Sequence, residues 1–233
     1  QAFGAFTTER KGYSREYGLS DDKWRRFIAR YNIWTESHVY ADRAARTGAV
    51  TCYTPATTPT GADPHRDTND DGTEDECAAV GQGSRCDTLS QKCTVPIRQR
   101  GTRPIVWYYT AGSMPEYFEA TAEAAQQWDV AMRSAVMTAR YAECMKVEKS
   151  AALCAQSSPM YFGQQDHNDD ALALAREVDD CRYGRAYANE DCQALAQRLG
   201  RERGYDPAVI HLAQQPEMVV LCPGVPAPIP YGE

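Results

Sequence analysis

The sequence lacks any long apolar run: its most hydrophobic stretches, around Ile105 to Tyr109 and Met218 to Cys222, are strand-sized and far short of the roughly 20 residues that cross a bilayer as a helix. It lacks a surplus of positive charge. Its 25 Lys and Arg stand against 32 Asp and Glu, for a formal net charge of −7. The basic runs Arg98 to Arg103 and Arg201 to Arg203 are short and interrupted, so no broad cationic face is offered to nucleic acid. Histidine is scarce: His38, His65, His167 and His211 are the only four, and no two form an H-E-x-x-H or H-x-E arrangement. A zinc site built from this chain alone is therefore not expected. His167 does stand among carboxylates between Gln165 and Asp170, where Asp and Asn serve as helix caps. There is no G-x-S-x-G elbow, no glycine-rich loop with nucleotide spacing and no C-x-x-C pair. No catalytic residue is assigned. The chain starts at Gln1 with no basic and apolar leader, which suggests a secretion signal already removed.

Nine cysteines are present instead. Their wide spacing suits disulfides better than a zinc ribbon or an iron–sulfur cluster. Two sets are expected to pair internally, Cys52, Cys77, Cys86 and Cys93 in one and Cys144, Cys154, Cys181 and Cys192 in the other. The connectivity within each set stays open. Cys222 is left over, unpaired or bonded to another chain. Persisting disulfides require an oxidising compartment, so a secreted, periplasmic or cell-surface location is expected.

Ser20-Asp21-Asp22 reads as a helix start, and Trp24, Phe27, Ile28 and Tyr31 share one helical face. This helical arm is expected to continue through Trp34 and His38 to about Arg46, with Gly48 ending it. Residues 51 to 66, with Pro55, Pro59, Gly61 and Pro64, read as a linker into a cysteine-rich stretch too small for its own core. Ile105 to Tyr109 is β-branched and aromatic, hence a strand. After Ser113 and Pro115, the positions Phe118, Ala122, Ala125, Trp128, Met132, Ala135 and Ala139 recur at helical spacing, as far as about Glu148. Asp169 to Asp180 and Asp191 to Arg203 read as further helices in a disulfide-tied insertion, Ala208 to Leu212 and Met218 to Leu221 as short strands. The proline-rich tail from Pro223 to Pro230 reads as extended.

Asp67-Thr68-Asn69-Asp70-Asp71-Gly72-Thr73-Glu74-Asp75-Glu76-Cys77 has the makings of a calcium loop. Calcium takes six to eight hard oxygen ligands, which short loops present at alternate positions around a sharp glycine turn. Asp67, Asn69 and Asp71 occupy positions 1, 3 and 5, Gly72 position 6, the Thr73 carbonyl position 7 and Asp75 position 9. Position 12 is Ala78 where an EF-hand carries glutamate, so the last ligand would come from Glu76, Asp63 or water. The run resembles a thrombospondin type 3 repeat, a calcium-wrapped segment with an attached cystine.

The strand Ile105-Val106-Trp107-Tyr108-Tyr109, then Met114-Pro115 and a helix carrying Ala124-Ala125-x-x-Trp128-Asp129-x-Ala131-Met132, resembles the opening strand and first helix of metzincin-like (zincin) peptidases. In that family an alanine-rich helix bears a Trp-Asn or Trp-Asp pair whose Trp inserts beneath the sheet. Cys86, Cys93 and the approach from Arg98 to Arg103 are similar to large exported myxobacterial zinc-dependent peptidases. The resemblance implies an α+β fold. The family's H-E-x-x-H is missing, so Zn2+ would enter only if a downstream segment or partner chain supplied the ligands.

The resulting expectation is a helical arm (1–50), a linker and calcium-binding cysteine-rich module (51–100), and a partial zincin-like α+β domain (101–233) with a helical insertion at about 140–206. The expected role is the Ca2+-stabilised N-terminal portion of an exported metallopeptidase-like protein. The alternative is a non-enzymatic secreted or cell-surface scaffold on a degenerate peptidase fold. Either way a further segment or second chain is expected to complete the sheet and to meet Cys222, because Met218 to Leu221 runs straight into a proline-rich tail.

Overall fold

The computed structural model describes residues 32–54, 60, 66–67, 72–110, 112–162 and 165–224, with the backbone alone for 5–11, 24–30 and 165–167. The chain divides into two compact units, Gln1–Ile33 and Trp34–Glu233. The first holds a two-stranded antiparallel sheet in which β1 (Ala5–Lys11) pairs with β2 (Trp24–Arg30) in a register running from Ala5 opposite Arg30 to Lys11 opposite Trp24. The helical arm expected from Lys23 is thus corrected to a strand. An aromatic and β-branched heptapeptide fits either period, and the pairing segment Ala5–Lys11 decides for the sheet. The continuation through Trp34 and His38 is not helical either. Trp34 bridges to Thr102 and His38 to Thr94, and β3 (Tyr40–Asp42) pairs with β4 (Thr47–Ala49) as a hairpin. Gly48, expected to end a helix, sits at φ 65° within that hairpin, where a Cβ would lie 3.1 Å from Ala41 Cβ.

A short 3-10 turn, Asp75–Val80, and the hairpin of β5 (Cys86–Asp87) and β6 (Lys92–Cys93) follow. Here four half-cystines, Cys52, Cys77, Cys86 and Cys93, make up a small buried cluster with Val50 and Val80 against it. Sulfur–sulfur bonds run Cys52–Cys86 and Cys77–Cys93.

β7 (Ile105–Tyr108) leads through a 3-10 turn, Pro115–Tyr117, into α1 (Phe118–Glu148). Lys149 takes a left-handed conformation at φ 52°, and Ser150 Oγ then accepts from Leu153 N to start α2 (Ala151–Ser157). α3 spans Gln165–Arg182 and α4 Cys192–Glu202, capped by Asp191 Oδ1 on the amides of Gln193 and Ala194. Residues Ala208 to Leu212, expected as a strand, lie inside helix α5 (Pro207–Gln214). The deciding feature is Asp206-Pro207: the carboxylate accepts from Ala208 N at 2.7 Å and proline fills the first helical position. β8 (Val219–Cys222) closes the described chain.

The helical core joins four helices through Val130, Met137, Leu174, Val178, Leu195, Leu199, Val209 and Leu212. Disulfides Cys144–Cys154 and Cys181–Cys192 tie α1 to α2 and the end of α3 to the start of α4, so each bridge of the protein joins cysteines of one expected set. β8 lies parallel to β7, with Trp107 level with Leu221 and Tyr108 with Cys222. Trp107 packs edge-on against Trp128 of α1, 6.1 Å between ring centroids. Helices and small sheets make this a mixed α+β chain.

A buried ionic network positions β8. Asp129 Oδ1 accepts from the amides of Met218 (2.5 Å) and Val219 (3.1 Å), while its Oδ2 lies 2.7 Å from Arg133 Nε. Arg133, fully buried, also reaches Asp179 Oδ2 at 2.5 Å and the Gln215 carbonyl at 2.9 Å. Arg182 donates to Asp179 and to the carbonyls of Ala213, Gln214 and Gln215. Two guanidinium groups thus satisfy the orphan carbonyls and the negative dipole end of α5.

Candidate calcium and cystine module

The proposed loop residues fall unevenly on the described structure. Asn69 and Asp71, with the alternative ligand Asp63, lie outside the described residues. Asp67 is described, and its Oδ2 accepts from Gly72 N at 3.0 Å. Gly72 has φ 84°, and a Cβ there would lie 2.9 Å from Val147 Cγ2 and 3.1 Å from Lys146 Cβ. Glycine is therefore demanded twice, by the left-handed backbone and by the approach of the turn to the end of α1. Thr73 is buried, with its hydroxyl accepting from Gly83 N at 2.8 Å.

Two carboxylates of this turn are withdrawn from solvent: Asp75 is 8% exposed and Glu76 1%. Both sit at the start of the 3-10 turn whose third residue, Cys77, is bridged to Cys93, and the Glu76 carbonyl accepts from Tyr53 N at 2.9 Å. The module is further pinned to α1 by Glu143, another buried carboxylate that sequence reasoning missed. Its two oxygens accept from the amides of Ile97 (2.7 Å) and Arg98 (2.8 Å), and Arg98 Nε lies 3.5 Å away. Nothing in the sequence marks Glu143, since its partners lie 45 and 46 residues earlier. Among the described residues, the one group of three ligand atoms within 4.8 Å of one another is formed by the sulfurs of Cys52, Cys77 and Cys93, all consumed in disulfides.

The histidines divide likewise. His65 and the side chain of His167 lie outside the described residues. His38 bridges the segment before β3 to the β5–β6 hairpin: Ser37 Oγ lies 2.9 Å from Nδ1, and Asp87 Oδ2 3.0 Å from Nε2. Asp87 also accepts from Ser90 Oγ at 2.8 Å, and these donors, Ser90 first and His38 next, lower its carboxyl to about 2. This serine, histidine and aspartate set lies at the surface and staples the hairpin to the strand edge beside it. His211 is partly buried on α5, and burial, then the nearby Arg140 charge, lowers its pKa. Its Nε2 lies 3.2 Å from Gln215 Nε2.

Cys222 carries a free thiol, half-buried at the end of β8. No helix of the described residues is long and apolar enough to cross a membrane. Compared with known protein families, curated proteins and solved structures, the chain matches none.

Proposed function

We propose that this chain is the calcium-stabilised part of an exported, metallopeptidase-like protein, contributing sheet, helix and a cystine-braced surface, with any zinc ligands supplied from outside it. The observation that carries the reading is the β7–α1–β8 unit. Its strands are parallel, Trp107 rests on Trp128, and the neighbouring Asp129 holds the first amides of β8, in keeping with the strand, alanine-rich helix and Trp-Asp order of the zincin resemblance.

Among the described residues the sheet of that unit has two strands. Parallel strands are normally covered on both faces, and two strands alone are marginal in water. α1 meets the face bearing Trp107, while Val106 and Tyr108 on the other side are 43% and 71% exposed. Further strands, from another segment or a second chain, complete the sheet in this reading, and Cys222 bonds to a cysteine there. Calcium fits the alternating acids from Asp67 to Asp75 around Gly72, whose φ of 84° makes the sharp turn such a loop needs. Four disulfides suit an oxidising compartment outside the cytosol.

The test is non-reducing peptide mapping of the native material together with hydrogen exchange. The expected result is a Cys222 cross-link to a peptide outside residues 1–222 and slow exchange of the Val219 to Cys222 amides beyond what β7 alone protects. A thiol that alkylates freely in the native material, beside fast-exchanging outer-edge amides, would overturn the reading.

A further inference from the structure

Between α1, α3 and the approach to β8 lies a cavity of about 320 Å3, at the lower end of the range for small-ligand sites. One wall is apolar: Phe118, Ala122 and Val130 from α1, Leu172 and Ala175 from α3. The rest is acidic. Glu119 and Glu123 stand at the rim one helical turn apart, Asp129 and Asp179 lie at the floor, and Asp180 and Glu217 line the side.

The cations near these acids are Arg133, Arg182 and Arg185, each paired with an aspartate, and Arg176, whose partner is a neutral amide. Arg133 is held by Asp129, Asp179 and the end of α5. At the rim, Arg176 donates to Gln126, and Arg185 pairs with Asp180 at 3.4 Å and lies over the Tyr183 ring at 4.8 Å. Glu119 and Glu123 repel each other at i, i+4 spacing, a destabilising arrangement unless a positive group joins them. Glu217 accepts from the Tyr183 hydroxyl. Its pKa is raised, by burial first and then by the charges of Asp179 and Asp129, against the opposing effects of Tyr183 and Arg133. With Asp129 and Asp179 matched by Arg133 and Arg182, and Asp180 by Arg185, the excess negative charge lies with Glu119 and Glu123 at the rim and Glu217 at the side, opposed by Arg176.

The spread of the acids decides between ligand classes. A metal ion draws its oxygens to about 2.3–2.6 Å from one point, yet no three carboxylates here come within 4.8 Å of one another among the described residues. An elongated cation with an apolar stem meets both walls at once. We infer that this cavity binds an organic cation, an alkylammonium or guanidinium group whose methylene stem lies along Phe118, Ala122 and Leu172. The inference is independent of the sheet and of the calcium loop. The ligand can be a free amine or a basic side chain presented by another polypeptide.

Titration calorimetry of the full chain with cadaverine, with Nα-acetyl-lysine methylamide and with hexanoate tests it. Saturable one-to-one binding of at least one amine at about millimolar concentration, with none for the carboxylate of similar length, is expected. Binding of both amines points to a presented side chain, and binding of cadaverine alone to a free diamine. Glu123→Gln, an exposed change that leaves the fold intact, weakens binding several-fold. Ala122→Leu, which fills the stem channel without altering charge, abolishes it, whereas diffuse attraction would survive. A bound cation favours ionised Glu217, facing Asp129 and Arg133 on α1, Asp179 and Arg182 on α3, and Tyr183 just after α3. Binding just above the ordinary carboxylate range therefore releases a proton, read from buffers of different ionisation enthalpy, and Glu217→Gln removes that release. No saturation by either amine up to about 10 mM, full retention of binding in Ala122→Leu, or calcium displacing the amine from this cavity would each overturn the assignment.

Discussion

Arg133 concentrates much of the energetics of this protein in one side chain. A guanidinium withdrawn from water is tolerated only with its donors matched, and here two aspartates and two helix-end carbonyls match them. Arg133→Met would leave Asp129 buried with the Met218 and Val219 amides as donors and no counter-charge, and would leave Asp179 and the carbonyls of Ala213 and Gln215 to Arg182. We expect a loss of about 3–5 kcal/mol, the usual consequence of breaking a buried pair by removing one partner, measured by urea unfolding near neutral pH. A loss under about 1 kcal/mol would show that water replaces the guanidinium. The sequence marks Trp128 and Asp129 through the zincin resemblance, but gives Arg133 no such mark. On the helical wheel of α1 it is one more polar residue, and its burial follows only from where α3 and α5 arrive.

Among the elements, α4 and α5 meet at a glycine. Gly200 lies inside α4, where glycine ordinarily costs up to about 1 kcal/mol against alanine. A Cβ there would stand 2.4 Å from Ile210 Cγ1 and 2.8 Å from its Cδ1. Gly200→Ala is therefore expected to lower stability by about 1–3 kcal/mol in thermal or urea unfolding, the reverse of the propensity effect. In an Ile210→Ala background the same change is expected to be neutral or stabilising, and persistence of the loss there would refute the close-packing account. Helix α1 was legible because thirty-one residues of sustained period leave little choice. The segments Trp24–Arg30 and Pro207–Gln214 were misread because each is short enough for its apolar residues to fit both periods. A partner strand decided the first. The Asp206-Pro207 start signal, visible in the sequence, decided the second.

For the molecule as a whole, the module around Cys52 to Cys93 and the helical body rest on different physics. The helical body has a continuous apolar core, whereas the module's buried cluster consists of its own half-cystines. Reduction of the native protein should therefore strip most hydrogen-exchange protection from residues 72–96, which lose two bridges of about 2–4 kcal/mol each, while the 165–214 helices, which lose Cys181–Cys192 but keep their apolar core, retain most of theirs. Equal loss in both regions would mean that the module and the helices unfold as one. Calcium at millimolar concentration is expected to raise the module's unfolding temperature, and Asp71→Ala to remove that increment. An unfolding curve indifferent to calcium and to EDTA would dismiss the ion.

The sequence by itself determined the chemistry of each segment. Cysteine spacing separated the two sets that pair within themselves, the period from Phe118 to Glu148 set the long helix, and the β-branched run at Ile105 set β7. All of these depend on neighbours within a few tens of residues. Only the tertiary structure decided what depends on distant partners: the burial of Arg133, Glu143's hold on residues 97 and 98, and the acidic cavity shared by α1, α3 and Glu217. A charged residue in a linear sequence has no address until packing brings its counter-charge, or the want of one, within a few ångströms.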